Sequence, residues 1–300
     1  FTWMQLCNRL LQMTGNSLYA DYMETAIYNA LMASLKADAS QIAKYSPLEG
    51  WRHEGEEQCG MHINCCNANG PRAFAMIPQF AYQVQDDCVR VNFYAPSEAE
   101  LVLPGKKPVR LKQTTDYPQT DQIEIEVDPA KETAFTIALR IPAWSKIAVV
   151  SVNGQPQDGV LQGAYLPVNR KWKKGDRITV KLDLRARLVE RNQAQAIVRG
   201  PIVLARDSRF GDGFVDEASV VVSKDGYVAL TPVKAPGFAW LAFTAPMVLG
   251  TDLESNRAPK QIHFCDFASA GNTWDKTQRY RVWLPKTLNV MHSPYRPYNQ

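Results

Sequence analysis

The sequence predicts a multidomain protein of mixed α and β class, with helices at the start and antiparallel β-sandwich domains after them. Apolar residues recur every three or four positions from Thr2 to Ser34, which is the spacing of amphipathic helices. From about Tyr82 onward, apolar and polar residues alternate in short runs between turn sequences. Short, regularly spaced strands of this kind are typical of a β-sandwich.

Two helices are predicted at the start of the chain. The first runs from Thr2 to Met13, and Gly15 can take the left-handed conformation that ends a helix. Ser17 is the predicted N-cap of the second helix. The first helix has an apolar face made of Trp3, Leu6, Cys7, Leu10 and Met13. Two helices cannot bury such faces by themselves, so we expect further helices upstream in a longer protein.

Turn dipeptides divide the second part of the chain. Asp86-Asp87, Asn153-Gly154 and Asp225-Gly226 each separate two alternating segments, and Asn-Gly is the strongest short hairpin signal. After Asn192 a further set of strands predicts a second small β-unit. The predicted domains therefore span residues 1–81, 82–192 and 193–300.

The composition argues against several classes of protein. With 45% hydrophobic and 21% charged residues, the 300-residue chain is typical of a globular protein with a sizeable core. The net charge of +4 is spread along the chain, which argues against a nucleic-acid partner. The longest apolar run, residues 236–250, is broken by Pro246 and is too short to span a membrane. Six cysteines in a chain of this length do not make a disulfide scaffold.

Side chains that bind metals are concentrated in one predicted loop. Within fourteen residues lie half of the six Cys and four His of the chain, namely His53, Cys59, His62, Cys65 and Cys66. Thiolate and imidazole ligands suit a metal such as zinc. Asn69 and Pro71 predict a helix start just downstream. The positive end of that helix, together with Arg72, would lower the pKa of a nearby thiol.

Three interpretations of Cys65 and Cys66 remain open from the residues alone. The first is a structural zinc site with Cys59 and His62, although adjacent cysteine ligands are unlike the usual spacing. The second is coincidence or a strained vicinal disulfide. The third is a catalytic thiolate held on a metal, with one cysteine as nucleophile and the other as a fixed ligand.

The segment CCNANGPR, from Cys65 to Arg72, resembles glycoside hydrolase family 127 and the related family 146, which are β-L-arabinofuranosidases with a cysteine nucleophile. The helix TGNSLYADYMETAIYNALMAS, residues 14–34, is similar to the one that precedes the site in that family. The β-sandwich segments of the family resemble LRIPAW (139–144), YLPVNRKWKKGD (165–176) and RGPIVLA (199–205). The resemblance covers nearly the whole chain in the same order.

This resemblance implies the last helices of an (α/α)6 barrel, followed by jelly-roll-like antiparallel β-sandwich domains. It implies a retaining, bacterial-type glycoside hydrolase acting on an arabinofuranose-containing oligosaccharide or glycan. Cys65 takes the roles of nucleophile and zinc ligand, and Cys66 that of a second zinc ligand. Asn69 and Arg72 match motif positions, and we expect them to support the loop and the helix start. The other two zinc ligands of the family and its acid/base Glu have no matching position here, so activity is expected of the intact parent protein.

Further side chains in the loop are candidates for substrate contact. His53, Glu57 and His62 are expected either to contact sugar or to support the loop, with simple solvation as the alternative for the Glu. Trp51 and Trp144 are able to stack on sugar rings, although packing is the more common fate of Trp. A homodimer is an open expectation. The alternative function is a non-catalytic carbohydrate-binding or scaffolding β-protein with a structural cysteine cluster.

Overall fold

The computed structural model describes residues 1–55, 65–250 and 258–287. The chain forms two compact units, the first made of residues 1–26 and 71–184 and the second of residues 27–70 and 185–300. Neither unit is continuous in sequence, so the domain boundaries predicted at residues 81 and 192 stay a prediction. In the described ranges the structure is mostly β with few helices, as the sequence pattern indicates.

The helical elements of the described ranges are α1 (Thr2–Thr14), α2 (Leu18–Thr25), a π-helical turn (Ala26–Leu31), α3 (Cys65–Ala81) and a 3₁₀ turn (Ser208–Phe210). Helix α1 ends as predicted, because Gly15 has a φ of 67° and donates its N–H to the Leu11 carbonyl at 2.8 Å. Ser17 occupies the predicted N-cap position of α2, but its side chain does not cap the helix. Its hydroxyl donates to the Gly163 carbonyl at 2.6 Å, while the Asn16 side chain accepts from the Leu18 N–H at 3.0 Å.

The predicted apolar face of α1 is divided between the protein interior and the surface. Cys7 is buried together with Met4 and Leu11, which lie one turn apart on the same side. The other predicted members include Trp3, Leu6 and Met13, which are 52%, 49% and 81% exposed. Helix α1 is therefore apolar on two sides, and only one of them is covered.

The first unit contains a β-sandwich of two sheets. One sheet has the order β10-β7-β3-β2, with β2 (Tyr82–Gln85), β3 (Cys88–Val91), β7 (Thr133–Ile141) and β10 (Ala164–Trp172). The other has the order β4-β5-β6-β11-β8-β9, with β4 (Ser97–Leu103), β5 (Lys107–Thr115), β6 (Gln122–Pro129), β8 (Ala148–Val152), β9 (Gln155–Pro156) and β11 (Asp176–Leu182). Burial alternates along β6 and β11, which leaves one apolar face for the core. The pairing is antiparallel as predicted, except that β3 and β7 run parallel because the chain crosses to the other sheet between them.

The hairpin turn at Asn153-Gly154 is confirmed and is tied to the neighbouring strand. Both residues have positive φ, 50° and 79°, as a type I′ turn requires. Asp176 accepts hydrogen bonds from the Asn153 side chain at 2.9 Å and from the Lys173 N–H at 3.0 Å. Burial by itself raises the pKa of Asp176, but these hydrogen bonds and the charges of Arg170 and Lys173 together outweigh it and hold the pKa below its usual value.

A buried group of charges ties α2 to the sandwich within the first unit. Arg140 is fully buried and its guanidinium bonds Asp21 and Glu24, the latter at 2.6 Å. The Glu24 carboxylate also accepts from the Tyr117 hydroxyl at 2.8 Å and from the Trp144 indole N–H at 3.4 Å. Trp144 is therefore a core residue, which removes it from the candidates for sugar stacking.

The second unit is built around a branched β-sheet. Its main path is β15-β19-β20-β14-β13-β12-β17-β16, and three short strands branch from interior strands of this path, β18 from β19, β21 from β14 and β22 from β13. The bounds are β1 (Glu49–Gly50), β12 (Ala186–Arg191), β13 (Ala194–Arg199), β14 (Ile202–Asp207), β15 (Ser219–Val221), β16 (Ser223–Lys224), β17 (Tyr227–Val228), β18 (Thr231–Pro232), β19 (Ala242–Leu249), β20 (Lys260–Asp266), β21 (Tyr280–Arg281) and β22 (Leu284–Pro285). Strand β1 lies in the predicted loop and pairs with β21, so that loop is attached to the sheet.

Helix α3 continues through two prolines. The sequence predicts that Pro78 ends or kinks a helix, yet α3 contains both Pro71 and Pro78 and ends only at Ala81. A proline in a helix interior costs about 3 kcal/mol, so other contacts must compensate for it. Asn92 provides two of them by donating its side-chain N–H to the Phe80 carbonyl at 2.9 Å and its backbone N–H to Ala81 at 2.8 Å. No helix in the described ranges is long and apolar enough to span a membrane.

Candidate functional site

The two adjacent cysteines are the first described residues of α3. The predicted helix start at Asn69 and Pro71 is too late, because the helix already includes Cys65. Cys65 is exposed and Cys66 is half-buried, and both are free thiols, so no vicinal disulfide is formed.

The pKa of Cys66 is shifted in the direction opposite to the lowered thiol pKa that the sequence predicts. Burial raises the pKa of Cys66, the adjoining Cys65 thiol raises it further, and only the charge of Lys44 acts in the opposite direction. A thiol with a raised pKa is protonated at neutral pH and is a poor nucleophile or ligand until something removes its proton.

Segment 42–44 packs against the beginning of α3. A Cβ built on Gly70 would lie 2.2 Å from Ile42 Cδ1, so the helix can approach this segment closely only because residue 70 is glycine. Gly70 is four residues after Cys66 and so lies on the same side of the helix. This contact explains why the Lys44 charge acts on the Cys66 thiol.

The loop around residue 52 is held by one buried arginine. Arg52 is fully buried and donates to the Ala33 carbonyl at 2.7 Å, to the Ala268 carbonyl at 2.8 Å and to the Phe267 carbonyl. Its guanidinium also lies 5.0 Å from the ring centre of Tyr280. Arg52 thereby fixes residues on both sides of it to the sheet of the second unit.

His53 is exposed, and its ring is oriented by the loop backbone. The Nδ1 atom accepts a hydrogen bond from the Gly55 N–H at 3.1 Å. A ring nitrogen that accepts carries no proton, so the neutral His53 ring has its proton on Nε2. The predicted role of His53 in loop support or sugar contact is compatible with this geometry and stays a prediction.

The other predicted site residues have different outcomes. Glu57 and His62, and with them Cys59, lie outside the described residues. Asn69 is half-buried, and the exposed Arg72 guanidinium lies over the Phe1 ring at 4.5 Å. Within the described ranges no group of three or more Cys, His, Asp or Glu side chains is placed to hold a metal. Cys65 and Cys66 are thus two neighbouring sulfur atoms that no third Cys, His, Asp or Glu of the described residues joins in a metal-binding group.

Sequence reasoning missed Lys44 and Arg52, and no local signal distinguishes them. A lysine or arginine in a polar loop is solvated in most proteins, and only the fold shows that Arg52 is buried. The partners of Arg52 lie up to 228 residues away in sequence, which no local pattern reveals.

Comparison with known proteins places this site in a family. A family model described as the GH127 β-L-arabinofuranosidase catalytic domain matches residues 2–79, and one described as the GH127 middle domain matches residues 88–184. The non-reducing end β-L-arabinofuranosidase of Bifidobacterium longum subsp. longum is 26% identical over 222 residues, which are 65% of this chain and 32% of that protein.

Solved structures show the same fold. A GH127 β-L-arabinofuranosidase from Geobacillus stearothermophilus T6 has a TM-score of 0.79 at 22% identity, covering 94% of this chain and 48% of its own. A second GH127 β-arabinofuranosidase has a TM-score of 0.79 at 24% identity, with the same coverage of both chains. The chain spans about a third of the curated relative and about half of these solved structures. From its two family matches, the chain belongs to the GH127 β-L-arabinofuranosidase family.

Proposed function

We propose that the intact protein containing this chain is a retaining glycoside hydrolase that releases terminal β-L-arabinofuranose from a glycan, with Cys65 as its nucleophile. The observation that carries the proposal is the exposed Cys65 thiol beside Cys66 in the first described turn of α3. This turn lies inside the region similar to the GH127 catalytic domain. The activity named for the curated relative supports the substrate class.

The chemistry needs a nucleophile on one face of the anomeric carbon and an acid on the other. The Cys65 sulfur forms a bond to the anomeric carbon while the glycosidic C–O bond breaks. An acid, supplied by a Glu of the intact protein outside this chain, protonates the leaving oxygen. The same Glu then takes a proton from water, whose oxygen displaces the Cys65 sulfur and restores the thiolate.

A tetrahedral zinc site needs four ligands, and the cysteine pair can provide two of them. Cys65 and Cys66 are soft sulfur donors in neighbouring positions, and we propose that both hold the ion in the intact protein. The remaining ligands would come from outside the described residues. Zinc held by Cys65 and Cys66 would favour the deprotonated thiols, which burial of Cys66 otherwise disfavours by raising its pKa.

The helices support the proposal that this chain carries the last helices of an (α/α)6 barrel. Helix α1 has a buried apolar stripe that includes Cys7 and a second stripe that includes the exposed Trp3 and Leu6. A helix that is apolar on two sides is normally packed on both. Further barrel helices of the intact protein would cover the second stripe.

The test uses the intact protein, with zinc content and arabinofuranoside hydrolysis measured in the same samples. We expect about one zinc per chain in the wild type. Cys66→Ser should lose both zinc and hydrolysis, and Cys65→Ser should lose hydrolysis by several orders of magnitude. Cys265→Ser is the matched control, because Cys265 is a fully buried cysteine of strand β20.

Undiminished hydrolysis by Cys65→Ser would contradict the nucleophile assignment. A wild type with neither zinc nor hydrolysis would favour the alternative, a non-catalytic carbohydrate-binding or scaffolding protein.

A further inference from the structure

We propose that Trp51 and His53 form a platform, here named the Trp51 platform, that binds the second sugar ring of the glycan beside the cysteine pair. This inference rests on the proposed function and adds a recognition site for the leaving part of the substrate.

The platform stands on a rigid base. Arg52, between the two side chains, is fully buried and bonds three backbone carbonyls. Neighbouring side chains of an extended segment point to opposite sides, so anchoring residue 52 inward turns residues 51 and 53 outward. Both are exposed as this predicts, and Trp51 is 36% exposed. Because these contacts already hold the segment in the free protein, binding of a sugar would require little further loss of conformational entropy there.

The exposed groups have the chemistry that a sugar ring requires. The Trp51 and His53 ring centres are 6.5 Å apart with an angle of 40° between the planes, which forms a shallow, open aromatic corner. An indole face suits the apolar C–H side of a sugar, and the Nε2–H of His53 is a donor for a sugar hydroxyl. Carbohydrate sites combine apolar walls with a few polar groups in this way.

The platform borders the cysteine pair through segment 42–44. The Lys44 N–H donates to the Glu54 carbonyl at 2.8 Å. A Cβ built on Gly55 would lie 2.7 Å from the Lys44 Cβ, so the loop packs directly on Lys44. The same segment packs on Gly70, one turn after Cys66. The platform is thus linked to the cysteine pair through segment 42–44, which contacts both the loop at Glu54 and Gly55 and helix α3 at Gly70.

This position decides which sugar the platform would bind. The arabinofuranose that is attacked must lie on the exposed Cys65 sulfur. A terminal arabinofuranose is joined to the rest of the glycan only through the bond that breaks, so a further ring bound at Trp51 belongs to the leaving part of the substrate.

The test compares two substrates in the intact protein, a β-L-arabinofuranosyl disaccharide and methyl β-L-arabinofuranoside, which lacks the second ring. Trp51→Ala should lower the ratio of kcat/KM for the disaccharide to kcat/KM for the methyl glycoside about tenfold. Trp51→Phe, which keeps an aromatic face, should stay within about threefold of the wild-type ratio. His53→Ala should lower the ratio roughly threefold to tenfold.

Trp240→Ala is the matched control, because Trp240 belongs to the same unit, is 38% exposed and stacks on Tyr28 instead. The platform is refuted if Trp51→Ala changes the ratio no more than Trp240→Ala does. If the wild type hydrolyses neither substrate, the proposed function fails separately. In that case, calorimetric titration with the disaccharide tests the platform. The Trp51→Ala variant should bind the disaccharide more weakly than the Trp240→Ala variant does. Equal binding by the two variants, or no binding by the wild type, refutes the platform.

Discussion

Replacing Arg140 by Met should destabilise the first unit far more than replacing any surface arginine. Arg140 is fully buried, and the carboxylates that it bonds, Asp21 and Glu24, are only 7% and 2% exposed. Arg140→Met leaves both carboxylates buried without their cation. A hydrogen bond to a charged group contributes about 1.5–3 kcal/mol, so two of them suggest a loss of roughly 3–6 kcal/mol. Breaking a buried ion pair costs about 3–5 kcal/mol, and we therefore expect about 4 kcal/mol.

The matched control is Arg110→Met, since Arg110 also lies on a strand and bonds two carboxylates, Glu98 at 3.0 Å and Asp128 at 3.2 Å. Its side chain is 39% exposed, and solvent screening should limit the loss to about 1 kcal/mol. The assay is urea unfolding followed by tryptophan fluorescence and circular dichroism, with the free energy taken from the midpoint and the slope.

Combining Arg140→Met with Asp21→Asn and Glu24→Gln should recover part of the loss, because the unpaired buried charges are then removed. Equal losses for Arg140→Met and Arg110→Met would refute the reasoning that burial sets the energy of this cluster.

Three smaller predictions concern a carboxylate, a turn and the thiols. Asp176→Asn should destabilise the protein by about 1–2 kcal/mol at pH 7. The folded-state pKa of Asp176 is held below its ordinary 3.8, so the stability difference between wild type and variant should vanish as the pH falls through the folded-state pKa. Urea unfolding of both proteins at pH 7 and pH 2.5 checks that the difference is smaller at the lower pH. Gly154→Ala, at a φ of 79°, should cost about 1–2 kcal/mol, whereas Gly237→Ala, in open space without positive φ, should change the free energy of unfolding by less than about 0.5 kcal/mol. After a chelator has removed any metal, iodoacetamide should label the exposed Cys65 in the folded protein. Cys265 should react only after unfolding, because complete burial raises its pKa and shields it from the reagent. Equal labelling of the two cysteines by mass spectrometry would contradict the burial argument.

Local rules were enough to predict several elements. The Asn153-Gly154 turn and the Gly15 helix end depend on which residues tolerate positive φ, and the structure shows that conformation at each. Alternation of apolar residues predicted β6 and β11 because the side-chain period of a strand is two. These predictions hold because the physical cause lies within a few residues of its effect.

Other predictions failed where a distant partner decides the outcome. Ser17 can cap a helix, but the Gly163 carbonyl, 146 residues away, accepts its hydroxyl hydrogen bond instead. Pro78 is a helix breaker in isolation, but Asn92 bonds the carbonyls at the helix end and α3 continues. The apolar face of α1 was predicted as one surface, although burial divides it according to what packs against the helix.

The sequence by itself determined the neighbouring thiols of Cys65 and Cys66, the CCNANGPR motif that resembles GH127, and the succession of helices and strands. Covalent order and local conformational preference are sufficient for these features. Only the tertiary structure showed that Arg52 is a buried anchor, that Lys44 acts on Cys66, and that Cys66 has a raised pKa. Burial and electrostatic effects depend on which parts of the chain are in contact in the folded protein, and those parts can be hundreds of residues apart in sequence.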